Sequence, residues 1–476
     1  MIFKFFYSLK MEGKFNLKYV ASQTTDKINY YQEYKGFHSV QTSSETSANL
    51  NIDDVLKFNA NLTNDCFDVF DSFLLLEGII QKSADSGVTW VNLVGGDAIT
   101  FELNGVLKMF KEMSIYSSTD RLIERVQYPG EVSTINQFLM QENTYPDSEG
   151  QLNLFIPDTS VNFTSNATQI TNTGFTTRNK VLVNGQNFQL FIPLDSVFGF
   201  MTYVRSSLSN LNFTLELVRD FNSASSRQNV FFGTPAANTI YQAFFSKIRW
   251  IIPYARLNTS SRLSYLKQMT KPINYKFLEN RCVQTSIGAS GGDFTFSLGN
   301  ISSNVHEIVI VFKDPTKAYN RINSLYLNTF YSNELRAAVT GNLNKIKVTI
   351  GNIDYPAKEY DFTFNSASNT NMIAFAYKYY LNACTKKYGV TPILNYDDFK
   401  NLYTLFYFDL TAQDPSYINL NTPVAITIGR SATFTAAQDM YVLLKLEKDI
   451  VLDFTQSTGG GAKMTTLELV NFPNKM

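Results

Sequence analysis

Phe188-Gln-Leu-Phe-Ile-Pro-Leu-Asp195 is followed by Leu211-Asn-Phe-Thr-Leu-Glu-Leu-Val218 and then by Phe244-Phe-Ser-Lys-Ile-Arg-Trp-Ile-Ile-Pro253. In the middle block Leu211, Phe213, Leu215 and Leu217 alternate with Asn212, Thr214 and Glu216, the period of a strand with one wet face. The same cadence returns later in the chain. Leu402-Tyr-Thr-Leu-Phe-Tyr-Phe-Asp409 precedes the alternating run Val424 to Ile428, which precedes Met440-Tyr-Val-Leu-Leu-Lys-Leu446. Each trio reads as apolar strand, long loop, alternating strand, loop and closing strand, so the chain is expected to hold two tandem copies of one fold. The boundary is expected between Tyr254 and Pro272.

Working outward, Ile99, Phe101 and Leu103 alternate with polar neighbours, as do Ile346, Val348 and Ile350. Turn signals separate such runs at Asp85-Ser-Gly87, Gly95-Gly-Asp97, Tyr128-Pro-Gly130, Asn184-Gly185, Gly291-Gly-Asp293 and Tyr355-Pro356. Many short strands without alternating helices point to antiparallel sandwiches. One segment departs from this: Met372, Ala376, Tyr379, Tyr380 and Ala383 recur at helical spacing, with Gly389 as a stop. A shorter helical turn is expected after Asn395.

The 476 residues suit two domains. Lysine plus arginine and aspartate plus glutamate each total 41, so no net field steers the chain onto nucleic acid or anionic lipid. Charged residues make up only 17%, while Tyr 27 and Phe 39 bring aromatics to 14%, a strand-and-loop composition suited to neutral contact surfaces. Cys66, Cys282 and Cys384 lie too far apart in sequence for a C-x-x-C metal site, and with only His38 and His306 there is little material for histidine chemistry. Met1 to Lys10 mixes apolar residues with Lys4 and Lys10 and is not read as a secretion signal; Met11 is a second candidate start. The N-x-S/T triplets at Asn61, Asn162, Asn166, Asn212, Asn258 and Asn300 are read as chance in an Asn/Thr-rich chain.

Ser457-Thr-Gly-Gly-Gly-Ala-Lys463 lacks the spacing of a phosphate-cradling loop and is read as a tail. Asp53-Asp54, Asp397-Asp398 and Asp409 with Asp414 are the carboxylates available to a glycosidase, but without flanking Trp platforms they read as caps and turns. His306, inside Val305-His-Glu-Ile-Val-Ile-Val-Phe312, reads as a packed or hydrogen-bonded side chain. The arm's lysines, Lys4, Lys10, Lys14, Lys18, Lys27 and Lys35, read as a solvated or interface-ordered tail.

Val91-Asn-Leu-Val-Gly-Gly-Asp97 with Ile99 to Gly105, Phe191 to Phe200 with Leu211 to Arg219 and Lys247 to Pro253, Ile346 to Pro356, and Tyr396 to Leu410 together resemble one family. It is the double jelly-roll major capsid proteins of eukaryotic double-stranded DNA viruses and of Polinton/Maverick-type (adintovirus-like) elements. The resemblance covers roughly residues 50 to 455; the arm and the Gly-rich tail do not match it. It implies an all-β chain of two tandem eight-stranded antiparallel jelly rolls with a short helical insertion in the second. The expected organisation is an arm over 1–48, a first roll over 49–255, a linker over 256–272, a second roll over 273–455 and a tail over 456–476. The residues carrying the family-like motifs are Pro193, Asp195, Phe198, Gly199, Phe200, Arg219, Trp250, Pro253, Tyr355, Pro356 and Asp409.

The implied role is structural, without catalytic, cofactor or metal residues. Its partners are further copies of itself, as pseudo-hexameric homotrimers tiling an icosahedral virion shell, and minor or penton proteins at the vertices; sequence-specific nucleic acid is not expected. A neutral tile suits dense packing, since like-charged copies repel. The same residues leave open a two-domain β-sandwich carbohydrate-binding or glycosidase-like protein.

Overall fold

The computed structural model describes residues 31–467 except 43–54, 63–64, 86, 118–120, 160–171, 184–186, 206, 210, 220–230, 234–238, 258, 260–262, 264–266, 268–271, 290–291, 302, 314–329, 331–342, 352, 362–372, 412–421, 431–433, 435–436 and 454–462. Its frame is sixteen strands in four sheets. The first half supplies β1 (Tyr31–Gln41), β2 (Val55–Leu62), β3 (Phe73–Ser83), β4 (Phe110–Ser117), β5 (Leu122–Gln127), β6 (Phe188–Pro193), β7 (Leu211–Arg219) and β8 (Ile240–Leu257). The second half supplies β9 (Ile273–Ile287), β10 (Phe294–Ile301), β11 (Val305–Lys313), β12 (Leu343–Ile350), β13 (Ile353–Asp361), β14 (Phe406–Asp409), β15 (Thr422–Arg430) and β16 (Gln438–Asp453).

In the first half the sheets run β1-β8-β3-β6 and β2-β7-β4-β5; in the second they run β9-β16-β11-β14 and β10-β15-β12-β13. Adding eight to every label converts one half into the other. Two four-stranded antiparallel sheets in this order, face to face, make a jelly roll. The trios that opened the sequence reading are β6, β7, β8 and β14, β15, β16, which occupy identical places in the two halves.

Alternation decides which side chains meet between the sheets. On β7 the Leu211, Phe213, Leu215 and Leu217 side chains are buried, and they face Leu74, Leu76, Trp250 and Ile252 of the opposing sheet's inner surface. In the second half Ile346, Val348, Ile426 and Ile428 meet Ile308, Ile310, Val442 and Leu444 in the same way. At about 25 cal/mol per Å², burial of aliphatic side chains in two such cores is the main force holding the halves closed.

The structure differs from the sequence reading in several places. Tyr31–Gln41, inside the expected arm, is an edge strand in register with β8, where Phe37 faces Pro253 and Val40 faces Trp250. Helices occur in the first half too: α1 (Pro129–Met140), α2 (Gly150–Asn153), α3 (Thr173–Leu182) and α4 (Gly199–Tyr203). The Tyr128-Pro-Gly130 turn signal is in fact the start of α1, with proline in its first turn. Every α1 residue from Pro129 to Leu139 is buried, so no polar face imposes the helical period on its sequence. Tyr355-Pro356, read as a turn, is a cis peptide inside β13.

The helix expected near Met372 is α5 (Ala374–Asn382), extended by a π-helical turn over Ala383–Tyr388 and ended by Gly389 at φ 71°. It is followed by α6 (Tyr396–Asn401), whose first turn is capped by Asn395 accepting from the Asp398 N–H at 2.8 Å. Lys463–Leu467, in the expected tail, pairs with β16. Asn184-Gly185 and residues 457–462 lie outside the described residues. Cys66, Cys282 and Cys384 are buried thiols. No helix among the described residues is long and apolar enough to cross a membrane.

Candidate functional site: the seam between the two halves

The two jelly rolls are fastened face to edge. On β11 the alternation of one core face and one wet face fails, because Ile308, Ile310 and Phe312 point to the core while Glu307, Val309, Val311 and Lys313 are buried as well. That face is covered by α1 of the first half, through Glu131 and Met140, and by the second half's own π-helical turn, through Lys387 and Tyr388, while β5 and α4 pack on the neighbouring β9.

Glu124 of β5 sits at the centre. Its Oε1 accepts the Gly199 N–H at 3.0 Å and the Asn280 N–H at 2.7 Å, and its Oε2 accepts the Phe200 N–H at 2.8 Å. One carboxyl thereby joins the start of α4 to β9 of the other half. Burial pushes it up to about 7, with the three N–H donors pulling the other way. Asn280 Nδ2 also donates to the Val197 carbonyl at 2.9 Å. Gly199 is required here: a Cβ would lie 1.7 Å from the Leu278 carbonyl oxygen. Phe200 then packs edge-on to Phe277 at 5.7 Å.

A second cluster is ionic. Lys313 Nζ, at the end of β11, lies 3.2 Å from Glu102 and 3.7 Å from Glu131, and Lys108 Nζ lies 2.8 Å and 3.7 Å from the same two carboxylates. Burial works against the charge on Glu102, but Lys108 and Lys313 outweigh it and hold the carboxyl below its usual range. Nearby, Tyr128 meets Tyr441 edge-on at 5.3 Å. A third cluster surrounds Glu307, which is bonded by Tyr388 Oη at 2.7 Å and Lys387 Nζ at 3.0 Å, with Lys445 Nζ at 3.8 Å. Lys445 Nζ also touches Met140 Sδ of α1 at 3.7 Å. Helix α5 meets α1 where Tyr380 Oη donates to the Phe138 carbonyl at 3.0 Å, and between loops the Asp158 N–H donates to Tyr403 Oη at 2.8 Å.

Of the residues singled out from sequence, Gly199 and Phe200 lie in this seam, and Phe198, buried, stands at the N-terminal end of α4. Pro193 ends β6, and with Asp195 it lines a cavity of about 370 Å³ on the first half's surface. Burial, the largest effect, raises the Asp195 carboxyl to about 6; Asp71 and Glu149 add to this, and Arg205 at 3.8 Å opposes it. Arg219 lies over the Phe110 ring at 5.9 Å, Trp250 is buried in the first core, and the Pro253 carbonyl accepts the Asp68 N–H at 2.9 Å. Tyr355 and Pro356 sit in β13, away from the seam contacts just described.

Asp409 accepts from Thr411 Oγ1 at 2.6 Å and from Lys387 at 3.4 Å, Asp398 accepts from Asn395 Nδ2 at 2.7 Å, and Asp397 is exposed. Each of the first two has a local structural partner. His306 Nε2 lies 3.1 Å from Glu447, so it is the hydrogen-bonded histidine expected, and His38 meets Phe67 edge-on at 5.9 Å. No group of three or more His, Cys, Asp or Glu among the described residues is placed to hold a metal ion.

Sequence reading passed over Glu124, Glu307, Lys313 and Lys445. A signal was present for Glu307 and Lys445, each a charge beside an apolar strand run, which a partner must bury and pair; Glu124, next to Arg125, and Lys313, at a strand end, carried none.

No protein-family model and no curated protein matches the sequence. Among solved structures the chain is similar to one from the Sputnik virophage, with a TM-score of 0.57 and 10% identity over 94% of this chain and 91% of that one. It is also similar to the Faustovirus major capsid protein, with a TM-score of 0.50 and 9% identity over 91% of this chain and 94% of that one. At such identity the likeness is one of architecture, and it covers nearly the whole chain: the chain is a double jelly roll.

Proposed function

We propose that this chain is a shell-building structural protein, a major capsid subunit that closes into pseudo-hexameric homotrimers and tiles an icosahedral virion. One observation carries the reading: a single chain holds two copies of the same sandwich, joined by a contact in which the edge and helices of one cover the sheet face of the other. Such a contact is heterologous, and heterologous contacts generate rings when the rotation closes. Three copies of a two-unit chain give a six-unit outline, the shape of a tile that covers a surface. The zero formal charge and the aromatic-rich, lysine-poor composition support dense side-by-side packing.

The similarity to a Sputnik virophage chain and to the Faustovirus major capsid protein supports the same reading. Separate minor proteins would fill the vertices, where six-unit tiles do not fit. The functional surfaces are then walls, and the buried carboxylates serve the seam. The test is the mass of the purified protein by light scattering and its outline by negative stain. Three chains per particle with a hexagonal outline is the expected result; a monomer persisting across the micromolar range overturns the reading.

A further inference from the structure

The seam covers one sheet face in the second half and leaves its equivalent in the first half open. Between the same two strands, β3/β8 and β11/β16, each half carries a glutamate in register with a lysine: Glu77 with Lys247, and Glu307 with Lys445. The second pair is 0% and 1% exposed beneath Met140. The first is 24% and 34% exposed.

Beyond Glu77 and its partners Lys247 and Gln189, the outward face turns aromatic. Phe37 of edge strand β1 is 68% exposed and meets Phe73 at 6.2 Å, and Phe73 meets Phe191 at 5.5 Å. Phe73, Phe191 and Pro193 run on into the cavity, whose rim carries Asp71, Glu149 and Asp195. An aromatic stripe ending in three carboxylates is complementary to an aromatic surface that carries cations.

The second half offers such a surface in the matching place. In the first half, α1, which directly follows β5, lies over the neighbouring sheet. In the second half the first described helix after β13 is α5, with its π-helical extension. One side of it faces α1 through Tyr380. The side turned away presents Phe375 (62% exposed) and Tyr379, and Lys378 and Lys386 are exposed at spacings that share this side.

We propose that the outward face of β1-β8-β3-β6 is the docking surface for a second copy of this chain, and that the occupant is the exposed side of that copy's α5 with its π-helical extension. Lys378 and Lys386 of the incoming copy meet the carboxylates of the cavity rim, and Phe375 and Tyr379 meet the Phe37-Phe73-Phe191 stripe. The contact repeats between chains what the seam does within one. It rests on the assembly reading above and adds the surfaces that perform it.

The test uses two charge-reversal variants of the full chain at exposed positions, Asp71→Lys/Glu149→Lys and Lys378→Glu/Lys386→Glu, with circular dichroism and unfolding midpoints to show that the fold is kept. Each alone is expected to lose assembly by at least about tenfold in apparent affinity, the scale of a few charge contacts. A chain that carries both sets of changes is expected to reassemble, because every contact of its ring is then complementary with its signs reversed. A trimer that persists in either single variant overturns these surfaces and leaves the assembly reading standing, as does loss in both without rescue in the combined chain. A wild-type monomer overturns both.

Discussion

The outward face of β11 and the outward face of β3 occupy the same place in two copies of one fold, yet the first carries Glu307, Val309, Val311 and Lys313 in full burial and the second carries Phe73, Leu75, Glu77 and Ile79 half-exposed. The fold does not distinguish them. Their neighbours do: one is covered by α1 of the other half and by the π-helical turn of its own. Burial therefore reports on position in an assembly, and the same cross-strand Glu–Lys pair is a demanding internal element in one half and a surface ion pair in the other.

The sharpest way to break this contrast is at the closest approach in the seam. Gly199→Ala places a methyl group against the Leu278 backbone, which cannot rotate away, and is expected to cost about 3 kcal/mol or more, against near-neutrality for Gly288→Ala, where a Cβ meets nothing within 4 Å. Chemical denaturation midpoints of the two variants make the comparison. Equal midpoints would mean that the seam is loose.

Removing the glutamates comes next. Glu307→Gln leaves Lys445 buried without its counter-charge and is expected to cost roughly 3 kcal/mol, while Glu77→Gln loses an exposed pair worth at most about 1 kcal/mol. Thermal unfolding of unassembled protein should rank them in that order. The reverse order contradicts the assignment of covered and open faces.

The pH dependence sharpens the picture further. Glu124 titrates at about 7 when folded and near 4.5 when unfolded, so the folded state holds the extra proton between those values. Its stabilising contribution is complete below pH 4.5 and is lost as pH rises through 7, roughly 3 kcal/mol over the whole range. Glu124→Gln should flatten the stability profile between pH 5 and pH 8. Parallel profiles for the two proteins would remove Glu124 as the titrating group.

The smallest effect belongs to the exposed end of the second half's insertion. Asn395→Ala, which deletes the cap of α6, is expected to cost about 1 kcal/mol by denaturation midpoint and to leave assembly unchanged. A change in particle mass would place α6 in a contact between copies.

Much of this was written locally. The alternation in Leu211 to Val218 and Val424 to Ile428 announces strands, and the order of the trios announces the duplication, because a half-buried sheet imposes period two on the residues that form it. Asn395 and Gly389 mark helix ends through the backbone geometry each favours. Helix α1 left no such mark: buried all round, it needs no polar stripe, and Tyr128-Pro-Gly130 looks the same before a turn and before a helix. Strand β1 was hidden for a related reason, since an edge strand with one side to solvent tolerates the mixed Lys, Tyr, Gly and Ser of Tyr31–Gln41.

The sequence alone determined that the chain is two antiparallel sandwiches in tandem, since the hydrophobic pattern along each strand is a record of its own two faces. It carried Glu307 and Lys445 as charges beside apolar runs without saying what pairs them. Only the tertiary structure decided that α1 and β5 of one half close over the sheet of the other, and that the twin of that sheet stays open. A burial pattern records that a face is covered, and the identity of the cover is fixed by contacts between residues more than a hundred positions apart.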